Sequence, residues 1–163
     1  MSFLFNPQKI CVIGASSNRR KVGFAIFNNI LNNGFKGIVY PVNWKEKFVL
    51  GKRCYFNVSS IPDKPDLAII AIPAFNVPSV VEECGRKGIK NIVIISAGFR
   101  EVGPSGQKLE EELKKISQIY NIKILGPNTL GFINTYLNLN ASFTEIFPPR
   151  GGDCFYFSIR CFM

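Results

Sequence analysis

The chain has 163 residues, 47% of them apolar, with a mean hydropathy of +0.13 and a formal charge of +9. This composition is typical of one globular domain with a substantial core and excludes a disordered chain. No apolar run reaches the roughly 18 residues of a membrane span, and the first residues do not resemble a signal peptide. The five cysteines form no C-x-x-C pair, which predicts reduced thiols, no metal cluster and a cytoplasmic protein.

The charge is unevenly distributed along the chain. Residues 1–53 contain nine Lys or Arg and a single acidic residue, Glu46, so this third of the chain carries a net charge of +8. The cations are spread over predicted loops, which disfavours a nucleic-acid-binding arm and favours a small polyanion bound at the ends of strands. A basic, solvated surface with no ligand remains the alternative.

Short apolar runs alternate with amphipathic segments along the chain. The patterns predict strands at 9–14, 37–41, 67–72, 91–96 and 122–126, and helices at 22–33, 75–87 and 105–120. Segment 42–66 is predicted to be a turn with a short extended piece at 54–56, and a short helix at 44–49 stays open. Near-continuous apolar strands such as 67–72 indicate burial on both faces. The predicted fold is therefore α/β, a Rossmann-like, doubly wound and mainly parallel sheet.

The first strand runs into a turn of small residues at 14–17, and a predicted helix follows at 22–33. Backbone N–H groups in such a turn can approach an anion, and the N-terminus of the helix adds partial positive charge. Lys21 adds a full positive charge beside the turn. The second glycine of G-x-G-x-x-G is missing, which weakens the interpretation as a dinucleotide site.

The loop after the second strand distinguishes between nucleotide ligands. In an open α/β sheet, ligands bind beyond the carboxyl ends of the strands. NAD-binding proteins place an acidic residue after the second strand to hold the ribose hydroxyls. This chain has Asn43 there, with Lys45 close by. A cation at this position suits a phosphorylated ribose, which both NADP and coenzyme A contain.

Eight short motifs then follow one another in register. They are VIGAS at 12–16, VG at 22–23, GFKG at 34–37, YPVN at 40–43, PDLA at 65–68, IPA at 72–74, SAGF at 96–99 and GPN at 126–128. Together they resemble the N-terminal CoA-binding domain of the NDP-forming acyl-CoA synthetases. This superfamily includes the ADP-forming acetyl-CoA synthetases and the α subunit of succinyl-CoA synthetase. The resemblance covers about residues 5–150.

The resemblance implies coenzyme A as the ligand and gives the motifs separate roles. The turn at 14–17 would hold the CoA phosphates, and Lys45 lies near the family's basic residue after the second strand. Residues 72–73 would form an apolar lip against the adenine, residues 95–97 would run along the pantetheine, and Asn128 would lie near the thiol end. The whole predicted site consists of Gly14, Ala15, Ser16, Ser17, Lys21, Val42, Asn43, Lys45, Ile72, Pro73, Ile95, Ser96, Ala97, Gly98 and Asn128.

The resemblance also implies a division into parts. In the family, a phosphoryl group passes to a histidine of a second domain before it reaches ADP or GDP, and this sequence contains no histidine. Residues 1–150 are predicted to be the CoA-binding domain. Residues 151–163 are predicted to be an atypical tail, the truncated or frame-shifted start of a second domain. The expected function is binding of CoA or acyl-CoA without catalysis, beside a nucleotide-binding (ATP-grasp) subunit or domain.

Two other functions stay open at this stage. One is a free-standing CoA-binding protein that regulates or docks onto a partner, and the other is a fragment of an NAD(P)-dependent oxidoreductase. A homodimer formed through an exposed sheet edge or apolar face also stays open. Neither a nucleic acid nor a membrane is predicted as a partner.

Overall fold

A computed structural model describes residues 6–149 and the backbone of two short strands in the C-terminal segment. In chain order, the strands are β1 (Lys9–Ile13), β2 (Ile38–Val42), β3 (Phe48–Val49), β4 (Lys52–Arg53), β5 (Leu67–Ile70), β6 (Asn91–Ile94), β7 (Lys123–Leu125), β8 (Thr129–Asn134), β9 (Leu139–Ser142), β10 (Cys154–Ser158) and β11 (Cys161–Phe162). The helices are α1 (Val22–Asn32), α2 (Val77–Arg86) and α3 (Pro104–Tyr120).

The main sheet has the strand order β11-β7-β6-β5-β1-β2. Strands β2, β1, β5, β6 and β7 are parallel, and β11 pairs antiparallel with β7 at one edge. The predicted Rossmann-like, mainly parallel sheet is confirmed. Because β1 pairs with both β2 and β5, the strand order reverses at β1, and the carboxyl ends of β1 and β5 border the position where such folds bind ligands.

The two faces of the sheet carry separate apolar layers. Alternate residues of a strand point to opposite faces, so Ile10 and Val12 pack in the layer that contains Phe27 of α1, whereas Cys11 and Ile13 belong to the layer under α2 and α3. This two-sided burial explains why the strand sequences are apolar throughout. None of the helices in the described part of the chain is both long and apolar enough to cross a membrane.

The cysteines of the core are unreactive thiols. Cys11, Cys54 and Cys84 are free, and Cys11 and Cys84 are fully buried. Burial raises the pKa of Cys11 to about 12 and raises the pKa of Cys84 well above its usual range. The side chains of Cys154 and Cys161 lie outside the described residues.

Several predicted strands are too long at their carboxyl ends. Strand β5 ends at Ile70 and β6 ends at Ile94, whereas the sequence predicts strands to 72 and 96. The apolar residues that follow leave the sheet and enter the loops at the ligand-binding edge. Helix α2 begins at Val77 rather than at 75, because residues 74–76 form a separate 3₁₀ turn before it.

The segment after β2 contains no helix at 44–49. Instead, β3 and β4 form a two-stranded hairpin, and Val42 makes an isolated bridge with Tyr55. The prediction of a turn with an extended piece near 54–56 is therefore correct in outline, and the alternative of a short helix is wrong. The hairpin brings the chain back beside the carboxyl end of β2.

The sequence analysis missed an antiparallel hairpin of β8 and β9, which lies against α1. Asn29 of α1 donates hydrogen bonds from Nδ2 to the carbonyl oxygens of Ser142 and Thr144, at 2.9 and 2.8 Å. The polar residues Asn134, Asn140 and Ser142 are buried in this hairpin, so its sequence lacks the apolar alternation of a strand.

The sequence predicts the C-terminal segment to be an atypical tail, the truncated or frame-shifted start of a second domain. Within it, the backbone of β10 pairs antiparallel with β8, and that of β11 pairs with β7. The division of the chain at residue 150 stays a prediction.

Candidate functional site

A cavity of about 1090 Å³ lies at the point where the strand order reverses. This volume suits a large organic ligand. Many of the predicted site residues line it, namely Gly14, Lys21, Val42, Asn43, Lys45, Ile72, Pro73, Ile95 and Ser96. The other predicted site residues are not among its lining residues, namely Ala15, Ser16, Ser17, Ala97, Gly98 and Asn128.

Two glycines form the base of the cavity. Gly14 has a φ of +92°, and a Cβ atom there would lie 2.3 Å from the carbonyl oxygen of Ala71 at the end of β5. A Cβ atom on Gly23 would lie 1.9 Å from the carbonyl oxygen of Gly14. The turn therefore fits between β5 and the start of α1 only without side chains at both positions. Gly23 provides the close helix–strand packing that a glycine of the dinucleotide motif provides elsewhere.

Asn43 connects the turn to the loop that follows β2. Its Nδ2 donates a hydrogen bond of 2.7 Å to the carbonyl oxygen of Ala15. Its Oδ1 accepts hydrogen bonds from the backbone N–H groups of Lys45 and Glu46, at 2.8 and 3.4 Å. Asn43 also lines the cavity, and its side chain holds the two loops together.

Two donors of the predicted phosphate turn form hydrogen bonds to Glu46, which is not in the predicted site. Ser16 Oγ donates to Glu46 Oε1 at 2.8 Å, and the Ser17 N–H donates to Glu46 Oε2 at 3.0 Å. Burial raises the pKa of Glu46, but the hydrogen bonds from Ser17 and Ser16, with the charge of Lys21, outweigh burial and hold that pKa below its usual range. Glu46 is therefore ionised at neutral pH.

Three exposed aromatic side chains line the cavity, and the sequence analysis did not include them in the site. Trp44, Phe56 and Phe75 are 68%, 67% and 72% exposed. The Nζ of Lys45 lies 4.5 Å from the centre of the Trp44 ring. Flat aromatic faces next to a cation suit a planar base with a phosphate nearby. The available signal was the single tryptophan, which directly precedes Lys45 in a loop after a strand.

The loops after β6 and β7 lie next to the cavity, and Ile95 and Ser96 of the first of these loops line it. Ser96 Oγ accepts a hydrogen bond from the backbone N–H of Ile72 at 3.2 Å, and the Ser96 carbonyl oxygen accepts one from the N–H of Asn128 at 3.0 Å. The N–H of Gly98 donates to Glu101 Oε1 at 2.6 Å. Ser96 therefore joins the ends of β5 and β6 to the loop that contains Asn128.

The charged groups around the cavity differ in their partners. Among the described residues, none of the ion pairs includes Lys21 or Lys45, although both line the cavity. Glu83 also lines it and accepts hydrogen bonds from the N–H and hydroxyl of Ser59, both at 2.7 Å. The described residues contain no group of three or more His, Cys, Asp or Glu side chains placed to bind a metal. The cavity therefore offers two cations to an anionic ligand.

Comparison with known proteins identifies the family. Residues 8–135 match the family model described as a CoA binding domain. The chain is 47% identical over 152 residues to the ADP-forming acetate–CoA ligase of Methanocaldococcus jannaschii, covering 93% of this chain and 21% of that protein. It is 45% identical over 151 residues to subunit alpha of the ADP-forming acetate–CoA ligase I of Pyrococcus furiosus, covering 89% of this chain and 33% of that subunit.

A solved structure gives the same result. The fold matches dinucleotide-forming acetyl-coenzyme A synthetase 1 of Ca. Korarchaeum cryptofilum, in complex with phosphate and ADP, with a TM-score of 0.83 and 44% identity. The match covers 87% of this chain and 30% of that one. The chain thus spans about a fifth to a third of the length of these relatives. The resemblance found in the sequence is confirmed: the chain belongs to the CoA-binding domain family, and its ligand is coenzyme A.

Proposed function

We propose that this chain is the CoA-binding part of an ADP-forming acyl-CoA synthetase and holds CoA or acyl-CoA in the cavity beside β1 and β5. The observation that carries the proposal is the cavity itself. It lies where the strand order reverses, it is large enough for an elongated ligand, and it is lined by two lysines that have no ion-pair partner among the described residues. Its relatives include ADP-forming acetate–CoA ligases.

The chemical groups around the cavity match the parts of CoA in order. Lys21 and the N-terminus of α1 favour the diphosphate, and Lys45 favours the phosphate on the ribose. Trp44 offers its face to the adenine. The apolar lip at 72–73 is also proposed to lie against the adenine, and it leads to the end of β6.

The remaining predicted residues belong to two loops next to the cavity. The turn at 14–17 is the proposed phosphate site. Residues 95–98 and Asn128 are proposed to guide the pantetheine arm and its thiol. Backbone hydrogen bonds fix both loops to the sheet, which supports a positioning role for them.

We further propose that the chain binds its ligand without completing a reaction. The reaction implied by the family needs a histidine to carry the phosphoryl group, and this sequence has none. A nucleotide-binding partner, as a separate subunit or a further domain, would supply the rest. The relative in Pyrococcus furiosus is itself one subunit, named alpha. A cytoplasmic location is part of the same proposal.

Calorimetry with CoA, NADPH and NADH tests the proposal. We expect CoA to bind in a single site and both nicotinamide nucleotides to give no heat of binding. Binding of NADPH in preference to CoA would contradict the assignment. In a second assay, acetyl-CoA, phosphate and ADP are incubated with the chain alone, and no ATP should form. Formation of ATP would contradict the proposed lack of catalysis.

A further inference from the structure

The side chain of Glu46 occupies the position that the fold offers to a phosphate. Its two carboxylate oxygens accept hydrogen bonds from the hydroxyl of Ser16 and the backbone N–H of Ser17. These are donors of the turn that links β1 to α1. Glu46 is also the only acidic residue among residues 1–53, which contain nine Lys or Arg. A carboxylate in this basic region therefore needs a specific explanation.

The loop after β2 delivers Glu46 to this position. Asn43 holds the turn through the Ala15 carbonyl oxygen and holds the loop through the backbone N–H groups of Lys45 and Glu46. The Glu46 side chain is half-buried, and the residue lines the cavity. Its carboxylate accepts a hydrogen bond from the hydroxyl of Ser16, a residue that is 1% exposed and does not line the cavity.

A carboxylate and a phosphate make the same demand on these donors. Both are anions that accept hydrogen bonds from hydroxyl and N–H groups, and such charge-assisted bonds are stronger than neutral ones. One hydroxyl and one N–H cannot serve both anions at once. A ligand phosphate that reaches this turn must therefore replace the Glu46 carboxylate.

We propose that Glu46 is an internal competitor for the ligand's phosphate: in the free chain its carboxylate fills the Ser16–Ser17 turn, and a phosphate-bearing ligand binds there only when this side chain moves out. The identity of that ligand as CoA rests on the proposed function, whereas the competition applies to any phosphate group. The side chain lowers affinity in proportion to the stability of its own hydrogen bonds to the turn.

The alternative is that Glu46 only stabilises the turn. The two interpretations predict opposite changes in the affinity for a phosphate when Glu46 is replaced by glutamine. Glu46→Gln keeps the length of the side chain and an acceptor oxygen but removes the charge. If Glu46 is a competitor, the loss of charge weakens its hold on the turn and tightens binding of a phosphate. If Glu46 is only a support, the same change loosens the turn and weakens binding.

The test compares the chain with its Glu46→Gln and Glu46→Ala variants by calorimetry with CoA. The matched control is Glu112→Gln, which removes the same charge from an exposed position on α3. We expect Glu46→Gln to bind CoA about three- to tenfold more tightly than the unchanged chain, because a charge-assisted hydrogen bond is replaced by a neutral one. Glu46→Ala should bind at least as tightly as Glu46→Gln, and Glu112→Gln should not change affinity.

Pantetheine, which has no phosphate, distinguishes competition from a general change in the cavity. Its affinity should be the same in all four proteins. Equal tightening of CoA and pantetheine in Glu46→Gln would overturn the proposal. Unchanged or weaker CoA binding by that variant would also overturn it, while CoA binding by the unchanged chain would leave the proposed function intact.

If none of the four proteins binds CoA, the proposed function is wrong. The competition by Glu46 can then still be tested by a titration with inorganic pyrophosphate. The backbone amide of Ser17 is then followed by NMR as pyrophosphate is added. The competitor role is supported if the amide of Glu46→Gln responds at a several-fold lower concentration than that of the unchanged chain. Equal concentrations in both proteins would overturn it.

Discussion

Two edges of the cavity differ in how their polar groups are used. The basic edge consists of the loops after β1 and β2, residues 14–21 and 43–47, and it carries exposed lysines and the ionised Glu46. The neutral edge consists of Ile95 and Ser96, which line the cavity, and of the adjoining loop residues 97–98 and 126–128, and it contains no charged side chain. Its loops are held by hydrogen bonds between Ser96 and its neighbours.

We expect this difference to give the basic edge control of the affinity for phosphate groups and the neutral edge control of the orientation of the pantetheine arm. Charged groups at the basic edge act over several ångströms and are sensitive to the number of phosphates on the ligand. Small residues at the neutral edge provide a surface of fixed shape with few polar contacts to offer. Substitutions at the basic edge should therefore alter the affinity for phosphate-bearing ligands. Substitutions at the neutral edge should alter the placement of the pantetheine arm.

The largest effect is expected where the basic edge meets the sheet. Gly23→Ala places a Cβ atom 1.9 Å from the carbonyl oxygen of Gly14, so the backbone of α1 or of the turn must shift. We expect a loss of about 3 kcal/mol in the free energy of unfolding, measured by urea denaturation. Gly34→Ala is the control, because its Cβ atom would meet nothing within 4 Å and only its φ of +87° opposes the change.

The control should lose about 1 kcal/mol, the ordinary cost of a left-handed conformation for a residue with a side chain. A loss in Gly23→Ala no larger than that in Gly34→Ala would show that the turn has room to adjust. In that case, the close packing of α1 against the turn would not be what holds the basic edge in place.

A smaller effect is expected from reversing a charge at the basic edge. Lys45→Glu places an anion beside the proposed ribose phosphate and should weaken CoA binding about tenfold or more, measured by calorimetry. Dephospho-CoA, which lacks this phosphate, should lose much less affinity. Lys114→Glu on α3 makes the same charge change on an exposed residue away from the cavity, and it should change neither affinity. Equal losses for the two ligands would remove Lys45 from the phosphate site.

The sequence predicts some parts of the candidate site and not others. The loops of the neutral edge and the turn at 14–17 are predicted from local patterns, because a strand followed by glycine, proline or serine signals a loop at the carboxyl end of a sheet. The contact between Glu46 and Ser16 could not be predicted, since the two residues are 30 positions apart and Glu46 lies in a loop with no regular structure. The same holds for Phe75, whose place at the cavity depends on where β5 ends.

The sequence likewise predicts only part of the fold. The five parallel strands were predicted because each is an apolar run buried on both faces. The hairpin of β8 and β9 was missed because its buried side chains include Asn140 and Ser142, which bond to each other and to the backbone. Local hydrogen bonding, which periodicity does not detect, stabilises this part of the core.

An aromatic substitution tests whether the basic edge also binds the base. Trp44→Ala removes a flat ring beside Lys45 and should weaken CoA binding by about fivefold, since a stacked aromatic pair contributes about 1 kcal/mol. The affinity for pantetheine, which has no adenine, should stay the same. Tyr136→Ala is the control, because this side chain is also exposed, at 66%, and does not line the cavity. An unchanged affinity for CoA in Trp44→Ala would place the adenine elsewhere.

The smallest expected effect is on the pH dependence of stability. The pKa of Glu46 is lower in the folded chain than in the unfolded chain, so its hydrogen bonds to the turn stabilise the fold above the unfolded pKa of about 4.5. This contribution is lost as the pH falls through the folded pKa.

The difference in unfolding free energy between the unchanged chain and Glu46→Gln should therefore decrease between pH 6 and acid, by less than about 1 kcal/mol because the group is partly solvated. Urea denaturation at several pH values measures it. A difference that does not change with pH would mean that Glu46 is not held by the turn in the free chain. The donors of the basic edge would then be open to a phosphate from the start, and the two edges would differ only in their net charge.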